Sequence, residues 1–279
     1  MSQTFSMRPV LRSALVSAEV SLPGRPDAAR VRERIAALAD AVDVVGLTDN
    51  HAGQARMSPL AAVALAREQG VSTIVHVSCR DRNRLALRSQ VVGAAALGSE
   101  GVLCLYGDPV GEVPRVKDMS ATALIAEAKG WAEPADLMVG AVVNPFAPDP
   151  DKELRLLERK IAAGAEFVQS QMVFDLEALD AFLGRAASLL AGVRFYAGVA
   201  LLRDRAMADR ARRLPGALLP DEALSRIVAG GGIELAEELA AELATRPAVD
   251  ALHVFPLGAE QATQGVAAAF RSRREPDRT

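Results

Sequence analysis

Short runs of β-branched and aliphatic residues alternate with longer segments of helical periodicity along the chain. The alternation recurs about eight times, which is the number of strand and helix pairs that a closed barrel requires. Each apolar run is followed by polar residues, Gly or Pro, and we predict strands at Leu15–Val20, Val42–Leu47, Thr73–Val77, Gly101–Leu105, Leu137–Val143, Glu166–Ser170, Arg194–Val199 and Ala251–Val254. The pattern predicts an α/β protein with a single (β/α)8 TIM-barrel domain over residues 1–279.

The segments between the predicted strands show the spacing of amphipathic helices. In Asp151–Ala163 the apolar positions fall at i, i+3 and i+7, and they are occupied by Leu154, Leu157 and Ile161. Gly164 follows this segment at the position where a left-handed residue commonly ends a helix. The last residues, Arg271–Thr279, are predicted to form a charged, frayed tail.

An open, doubly wound sheet gives the same alternation and is the competing fold. Its dinucleotide-binding versions carry GxGxxG directly after the first strand. Here the first predicted strand contains an acid, Glu19, and is followed by Ser21-Leu22-Pro23 instead of that glycine motif. The strand number and the missing motif favour the barrel.

Composition narrows the functional classes. Hydrophobic residues make up 50% of the chain, and the net charge is −3 with a pI near 5.8. The arginines are scattered and aromatics make up only 4%, so neither a basic nucleic-acid footprint nor a base-stacking surface is indicated. No uncharged span of about 18 residues and no signal peptide is visible, which predicts a cytoplasmic protein without a membrane segment. Cys79 and Cys104 form no CxxC motif, so we expect neither disulfides nor a zinc ribbon.

Polar residues collect where the predicted strands end. In a barrel, catalytic groups come from the C-terminal ends of strands and from the loops beyond them. The polar groups at these ends are Glu19, Thr48-Asp49-Asn50-His51, His76 to Asp81, Tyr106-Gly107-Asp108-Pro109, Asn144-Pro145 and Gln169-Ser170-Gln171. We therefore expect one polar rim that contains the functional site.

The densest of these stretches is HVSCRDRN, from His76 to Asn83. Three interpretations compete: a metal or redox site on Cys79, a helix N-cap with solvated charges, and one wall of a ligand pocket. His76 and Cys79 supply only two ligands, so no metal site is predicted. Asp81 stands where an N-cap is needed before the next helix. Cys79 is predicted to pack as a small buried side chain.

Six stretches, in this order along the chain, resemble the methylenetetrahydrofolate reductase family. They are SAEV (17–20), VHVSCRDRN (75–83), VLCLYGDP (102–109), VVNPFAPD (142–149), ERKIAAGAEFVQSQMVFD (158–175) and GIELAEELAAEL (232–243). Members of the family are flavoenzymes that reduce methylenetetrahydrofolate to methyltetrahydrofolate. The resemblance thus implies an NAD(P)H-dependent oxidoreductase of one-carbon metabolism whose substrate is a tetrahydrofolate derivative. We also expect a homo-oligomer.

The resemblance assigns roles to matching residues. Glu19 matches the general acid that protonates the folate as its methylene bridge opens, and a partly desolvated carboxyl suits that role. Asp108 matches an aspartate that holds the pterin and stabilises the developing cation. Gln171 matches a glutamine that hydrogen-bonds the pterin.

The resemblance also implies bound FAD, with NADH or NADPH as the hydride donor. The residues at matching cofactor positions are Thr48, His76, Tyr106, Gly107, Asp108, Asn144, Arg159 and Lys160. The chain departs from the family pattern at Tyr106, where members carry a cation near the flavin, and at Arg205, where they carry an aromatic residue.

Three alternatives stay open beside the flavoenzyme. One is a reductase without flavin that passes hydride directly, and another is a folate- or corrinoid-associated barrel without catalysis. The third is a lyase or aldolase, which would need a Schiff-base lysine at a strand end. All the lysines fall in predicted helices or loops: Lys117, Lys129, Lys152 and Lys160.

Overall fold

Eight parallel strands close into a barrel in sequential order, from β1 next to β2 round to β8 next to β1. The structure is a computed structural model and describes residues 10–107, 115–214 and 216–274. The strands are β1 Val16–Val20, β2 Val44–Leu47, β3 Thr73–Ser78, β4 Gly101–Leu105, β5 Met138–Val143, β6 Phe167–Met172, β7 Arg194–Ala200 and β8 Ala251–Phe255. Every predicted strand is present with small shifts at its ends, and the predicted (β/α)8 barrel is confirmed.

Helices surround the barrel and connect successive strands. They are α1 Ala28–Ala39, α2 Pro59–Arg67, α3 Arg84–Ala96, α4 Ala121–Ala132, α5 Pro150–Ala162, α6 Leu176–Ala186, α7 Arg205–Arg212, α8 Asp221–Val228, α9 Gly232–Ala244 and α10 Thr263–Arg273. Within the described ranges, none of these helices combines the length and apolar composition that crossing a bilayer requires.

Helix α5 shows how the local sequence sets an element and its ends. The Asp149 carboxylate caps it by accepting a hydrogen bond from the Lys152 backbone N–H, and Pro150 occupies the first turn, where no donor is lost. Leu157 is buried against the barrel. Gly164 has φ +105°, which favours glycine, and the chain turns there into β6. The predicted helix is therefore confirmed with a shift of one residue.

The connection from β7 to β8 contains three helices, α7 to α9, where simple alternation suggests one. Asp204 caps α7 by accepting from the Met207 N–H, and Gly230 has φ +91° just after α8. These signals break the segment into short helices. Buried residues of α7 to α9 pack with Met172 and Ala200 at the ends of β6 and β7.

The barrel interior holds a closed apolar layer near the N-terminal ends of the strands. Its members share inward orientation and near-complete burial: Leu11, Val44, Ile74, Leu103, Met138, Phe167, Tyr196 and Ala251. The Tyr196 hydroxyl donates to the Leu11 carbonyl at 3.2 Å, and the two rings of Phe167 and Tyr196 meet edge to face. This layer closes one end, so space for a ligand lies at the other.

The predicted C-terminal tail begins later than expected. Helix α10 runs to Arg273, and the Arg271 guanidinium donates to the Ala41 carbonyl at 2.9 Å and to the Asp43 carboxylate at 2.8 Å. The prediction of a frayed segment from residue 271 is thus wrong for its first residues. The Arg271 guanidinium donates hydrogen bonds to the neighbouring loop, which a one-dimensional pattern does not reveal.

Candidate functional site

A cavity of about 420 Å³ opens at the C-terminal ends of the strands and is called the mouth cavity below. This volume falls within the range of about 300–1,000 Å³ that is common for ligand pockets. Most of its walls come from side chains that alternate inward along the strands. The lining residues are Glu19, His76, Leu103, Leu105, Tyr106, Gly107, Val142, Val143, Asn144, Glu153, Lys160, Gln169, Ser170, Gln171, His253 and Phe255.

Glu19 occupies the inward face of β1, paired in register with Gly46 of β2. Burial raises the pKa of its carboxyl from 4.5 to about 7. None of the described residues gives this carboxyl a hydrogen bond or ion pair. Glu19 is therefore a carboxyl that is about half protonated at neutral pH and faces a cavity, so it can donate a proton there.

Two buried histidines line the floor beside it. Burial lowers the pKa of His76 to about 4 and that of His253 to about 3, so both rings are neutral at pH 7. The His253 Nδ1 atom lies 3.2 Å from the Gln169 Nε2 atom and 2.8 Å from the Ser17 hydroxyl. Since an amide nitrogen only donates, Nδ1 accepts and the ring carries its hydrogen on Nε2.

The sequence did not predict His253 as a site residue, and it did not predict the contact between His253 and Gln169. Their cue is a polar residue at an inward position of an otherwise apolar strand, namely His253 between Leu252 and Val254. The contact itself joins β8 to β6 across the barrel, and only the closed fold brings the two together.

Two glycines are required by this packing. A Cβ atom on Gly46 would lie 3.1 Å from His76 Nε2 and 3.7 Å from His253 Cε1, so the two rings rest on bare backbone. Gly107 has φ +94°, and a Cβ there would lie 2.4 Å from the Ser78 hydroxyl. Larger residues at either position would displace the floor or the rim.

Both glutamines of β6 line the mouth cavity, with an irregular register between Gln169 and Met172. The Gln171 side-chain oxygen accepts a hydrogen bond from the Met172 N–H at 2.9 Å. That bond fixes the amide orientation and leaves its nitrogen as the donor available to a ligand. The structure therefore brings Gln171 to the site where the resemblance places a substrate-binding residue.

The residues expected to bind a cofactor separate into two groups. His76, Tyr106, Gly107, Asn144 and Lys160 line the mouth cavity. Thr48 and Arg159 do not line it. Asp108 lies outside the described residues.

Thr48 and Arg159 do not belong to the lining of the mouth cavity. The buried Thr48 hydroxyl accepts from the Leu22 N–H at 3.2 Å and donates to the Val20 carbonyl at 3.3 Å, so it ties β2 to the end of β1. Arg159 lies exposed on α5. The Lys160 ammonium reaches the cavity from the same helix, although the sequence placed it away from any strand end.

The described residues fit the ring of a flavin better than its pyrophosphate. Lys160 is the one cation among the described residues of the mouth cavity, and its ammonium already donates to the Val142 carbonyl at 2.6 Å. Burial lowers the pKa of Lys160, and Glu153 also lines the wall there. A pyrophosphate is best held by several fixed donors, and this wall does not supply them.

The polar stretch after β3 mostly supports the rim. The Asp49 carboxylate binds the Arg82 guanidinium at 2.6 Å and accepts from the Ser78 N–H at 2.9 Å. Asp81 pairs with Arg80, whose guanidinium holds the pKa of that carboxyl below its usual range. Of this stretch, His76 is the residue that lines the mouth cavity.

One prediction for this stretch is wrong. The N-cap of α3 is Asn83, whose side-chain oxygen accepts from the Ala86 N–H at 3.0 Å, whereas Asp81 is held by Arg80. Cys79 packs in the layer between strands and helices, on the opposite side of the strand from His76. The two side chains therefore do not share a site.

The family model described as methylenetetrahydrofolate reductase matches residues 6–270. A reviewed relative, methylenetetrahydrofolate reductase 1 of Schizosaccharomyces pombe, is 20% identical over 210 residues, which cover 70% of this chain and 35% of the relative. The chain thus spans about a third of the length of that relative.

Solved structures share the barrel. A Clostridium thermocellum protein that binds two copies of 5-methyl-5,6,7,8-tetrahydrofolic acid superposes with a TM-score of 0.70 at 13% identity, covering 94% of this chain and 98% of that one. A 2,3-dimethylmalate lyase superposes with a TM-score of 0.53 at 14% identity, covering 93% and 80%. These likenesses show the fold alone. With a family model matched over nearly its whole length, the chain belongs to the methylenetetrahydrofolate reductase family.

Proposed function

We propose that the protein reduces 5,10-methylenetetrahydrofolate to 5-methyltetrahydrofolate with a hydride from NADH or NADPH. The observation that carries the proposal is Glu19, a carboxyl in the mouth cavity with a pKa near 7 and no partner among the described residues. The family match supports the substrate class, as does the Clostridium thermocellum protein, whose bound ligand is the proposed product.

The chemistry follows from a carboxylic acid that faces the mouth cavity. Glu19 donates its proton to the bridge nitrogen N10 of the folate, the bond from that nitrogen to the methylene carbon breaks, and a cationic iminium remains at N5. A hydride from C4 of the nicotinamide then reaches the methylene carbon and gives the methyl group and oxidised nicotinamide. Water must afterwards return a proton to Glu19.

The two histidines beside Glu19 favour formation of the iminium cation because they are neutral. With pKa values of about 4 and 3, His76 and His253 carry no charge at pH 7 and do not repel the iminium. The Gln171 amide nitrogen supplies a donor for a pterin oxygen or ring nitrogen. The residues thus bind and orient the ring while one group supplies the proton.

For the hydride we propose direct transfer from the nicotinamide, because Tyr106 lines the mouth cavity where members of the family carry a cation beside the flavin. A flavin that served as carrier would be reduced by the nicotinamide before the folate entered the same face. Direct transfer instead needs both substrates bound together.

The two routes give different kinetics. For direct transfer we expect intersecting double-reciprocal patterns for the two substrates, and no quenching of FAD fluorescence when the purified protein is titrated with FAD. Parallel patterns together with quenching of flavin fluorescence would contradict direct transfer and restore the flavin route. Either result leaves the folate assignment intact.

The raised pKa of Glu19 predicts a pH profile. The reaction uses the protonated acid, so kcat/KM for the folate should fall about tenfold per pH unit above a midpoint near pH 7. With an ordinary pKa of 4.5, the decline would begin below the measured range and would continue at about tenfold per unit throughout it, without a midpoint near pH 7. Measurement of kcat/KM from pH 5.5 to 9 checks this, and a profile without a limb near pH 7 would count against the assignment.

A further inference from the structure

A second cavity, also of about 420 Å³, lies between the loops that follow β1 and β2 and is called the arginine cavity below. It is lined by Ser21, Leu22, Pro23, Gly24, Arg25, Arg30, Arg34, His51 and Arg56. Four arginines and no carboxylate contribute to this lining. None of the assigned or proposed catalytic residues belongs to it.

The positive charges of this cavity are only partly compensated. Arg34 donates to the Ser21 carbonyl at 2.7 Å and lies 3.4 Å from the Glu260 carboxylate. The side chains of Arg25 and Arg30 have no ion pair among the described residues. Arg56 has a buried Nε atom without a hydrogen-bond partner. Because buried donors in proteins are nearly always hydrogen-bonded, this N–H needs an acceptor, and an anion bound in the cavity would provide one.

The walls of the arginine cavity are fixed by contacts between its loops. The Met57 N–H donates to the Pro23 carbonyl at 2.8 Å, which ties the loop after β2 to the loop after β1. The Arg56 N–H donates to the Asn50 side chain at 3.0 Å. The cavity is therefore held open by bonds that do not use the guanidinium groups of Arg25 and Arg30.

The arginine cavity borders the mouth cavity. Ser21 follows Glu19 by two residues along the same strand end. His51, on the lining, is near enough to His76 on the floor of the mouth cavity to lower the pKa of His76. A ligand whose ring occupies the mouth cavity can therefore extend a flexible arm over the β1 and β2 side of the rim.

We propose that the arginine cavity binds the multiply charged anionic arm of a ligand whose ring lies in the mouth cavity. Guanidinium groups bind carboxylates and phosphates in the same two-pronged geometry, so the arm is either a chain of γ-linked glutamates on the folate or the phosphates of the nicotinamide dinucleotide. The proposal rests on the proposed function for the ring, but the anion site itself can be tested without turnover.

The test neutralises two cavity arginines whose side chains make no ion pair with any described residue. The variant is Arg25→Gln/Arg30→Gln, and the matched control is Arg88→Gln/Arg155→Gln, which removes the same charge from exposed positions elsewhere. Calorimetry measures binding of four ligands: 5-methyltetrahydrofolate with one or three glutamates, NADH and NADPH. Inorganic tripolyphosphate serves as a fifth ligand without any ring.

We expect the wild type and the control to bind the more charged ligand more tightly, either in the folate pair or in the NADH and NADPH pair. In the cavity variant this preference should fall by about tenfold, because the variant removes charge-assisted hydrogen bonds to the extra anionic groups. Loss of the preference in the folate pair identifies the glutamate chain as the arm. Loss of the preference for NADPH over NADH identifies the 2′-phosphate, and an equal loss of affinity for NADH and NADPH identifies the pyrophosphate that they share. The proposal is overturned if the cavity variant and the control bind every ligand alike.

Tripolyphosphate separates this inference from the proposed function. Suppose that the wild type binds tripolyphosphate and the cavity variant does not, while neither protein binds the folates. The anion site is then supported and the folate assignment is wrong. If folates bind and are turned over while tripolyphosphate and both preferences are unaffected by the variant, the function stands and the anion site fails.

Discussion

Replacement of Glu19 by glutamine is expected to slow reduction of methylenetetrahydrofolate by about 10² to 10⁴, as loss of a general acid typically does. The amide keeps the size and the hydrogen-bonding reach of the side chain but has no proton to donate. Binding of 5-methyltetrahydrofolate should therefore persist with an affinity close to that of the wild type. Single-turnover stopped-flow with saturating NADH measures the rate, and calorimetry measures the affinity.

Two further variants separate chemistry from misfolding. Glu19→Asp retains an acid with a shorter reach and should lose less activity than Glu19→Gln. Glu177→Gln removes an exposed carboxylate from α6 and should leave the rate unchanged. Equal loss of rate and of product affinity in Glu19→Gln would mean a binding defect, and an unchanged rate would remove Glu19 from the mechanism.

Removal of the Asp49 carboxylate is expected to destabilise the protein by about 3–5 kcal/mol, because it leaves a partly buried guanidinium without its partner. The Asp49 side chain is 2% exposed and that of Arg82 is 16% exposed, and the same carboxylate also binds the Ser78 N–H. A loss of this size is a large fraction of the total stability of a typical domain, which is about 5–15 kcal/mol.

Urea denaturation of Asp49→Ala measures this effect as a shift of the midpoint at constant slope. The control is Glu68→Ala, which removes an ion pair of similar length, 2.9 Å to Arg32, from the exposed surface. Exposed pairs contribute about 0–1 kcal/mol, so the control midpoint should move little. Equal shifts in both variants would show that Asp49 is no more than a surface charge.

The strands and the inward position of Glu19 could be predicted because each depends on local sequence. Alternating burial fixes which side chains of a strand face the interior, and polar residues at strand ends mark the open rim. That is why Glu19, His76 and Gln171 were expected at one site and are found there. The barrel brings them together without any further information.

Other features of the site depend on contacts that the sequence does not show. Thr48 has the residue type for a ligand contact, but neighbouring backbone groups already use its hydroxyl. Asp81 has the type of a helix cap, but Arg80 binds it. The resemblance names Lys160 as a cofactor-binding residue, but its place on a helix does not show that its long side chain reaches the cavity. In each case, geometry within a few ångströms decides what the group does.

The hydrogen bond between Ser17 and His253 joins residues 236 positions apart, across the seam where β1 meets β8. During synthesis the chain emerges from its N-terminus, so β1, which carries Glu19, exists long before its last neighbour, β8. Until β8 arrives, the barrel has an open seam with unpaired backbone groups on β1 and β7, which are prone to wrong pairing. Closing so distant a contact is entropically costly and slow. The floor of the mouth cavity is therefore assembled last, and no nascent fragment that ends before residue 251 can contain a complete ligand site.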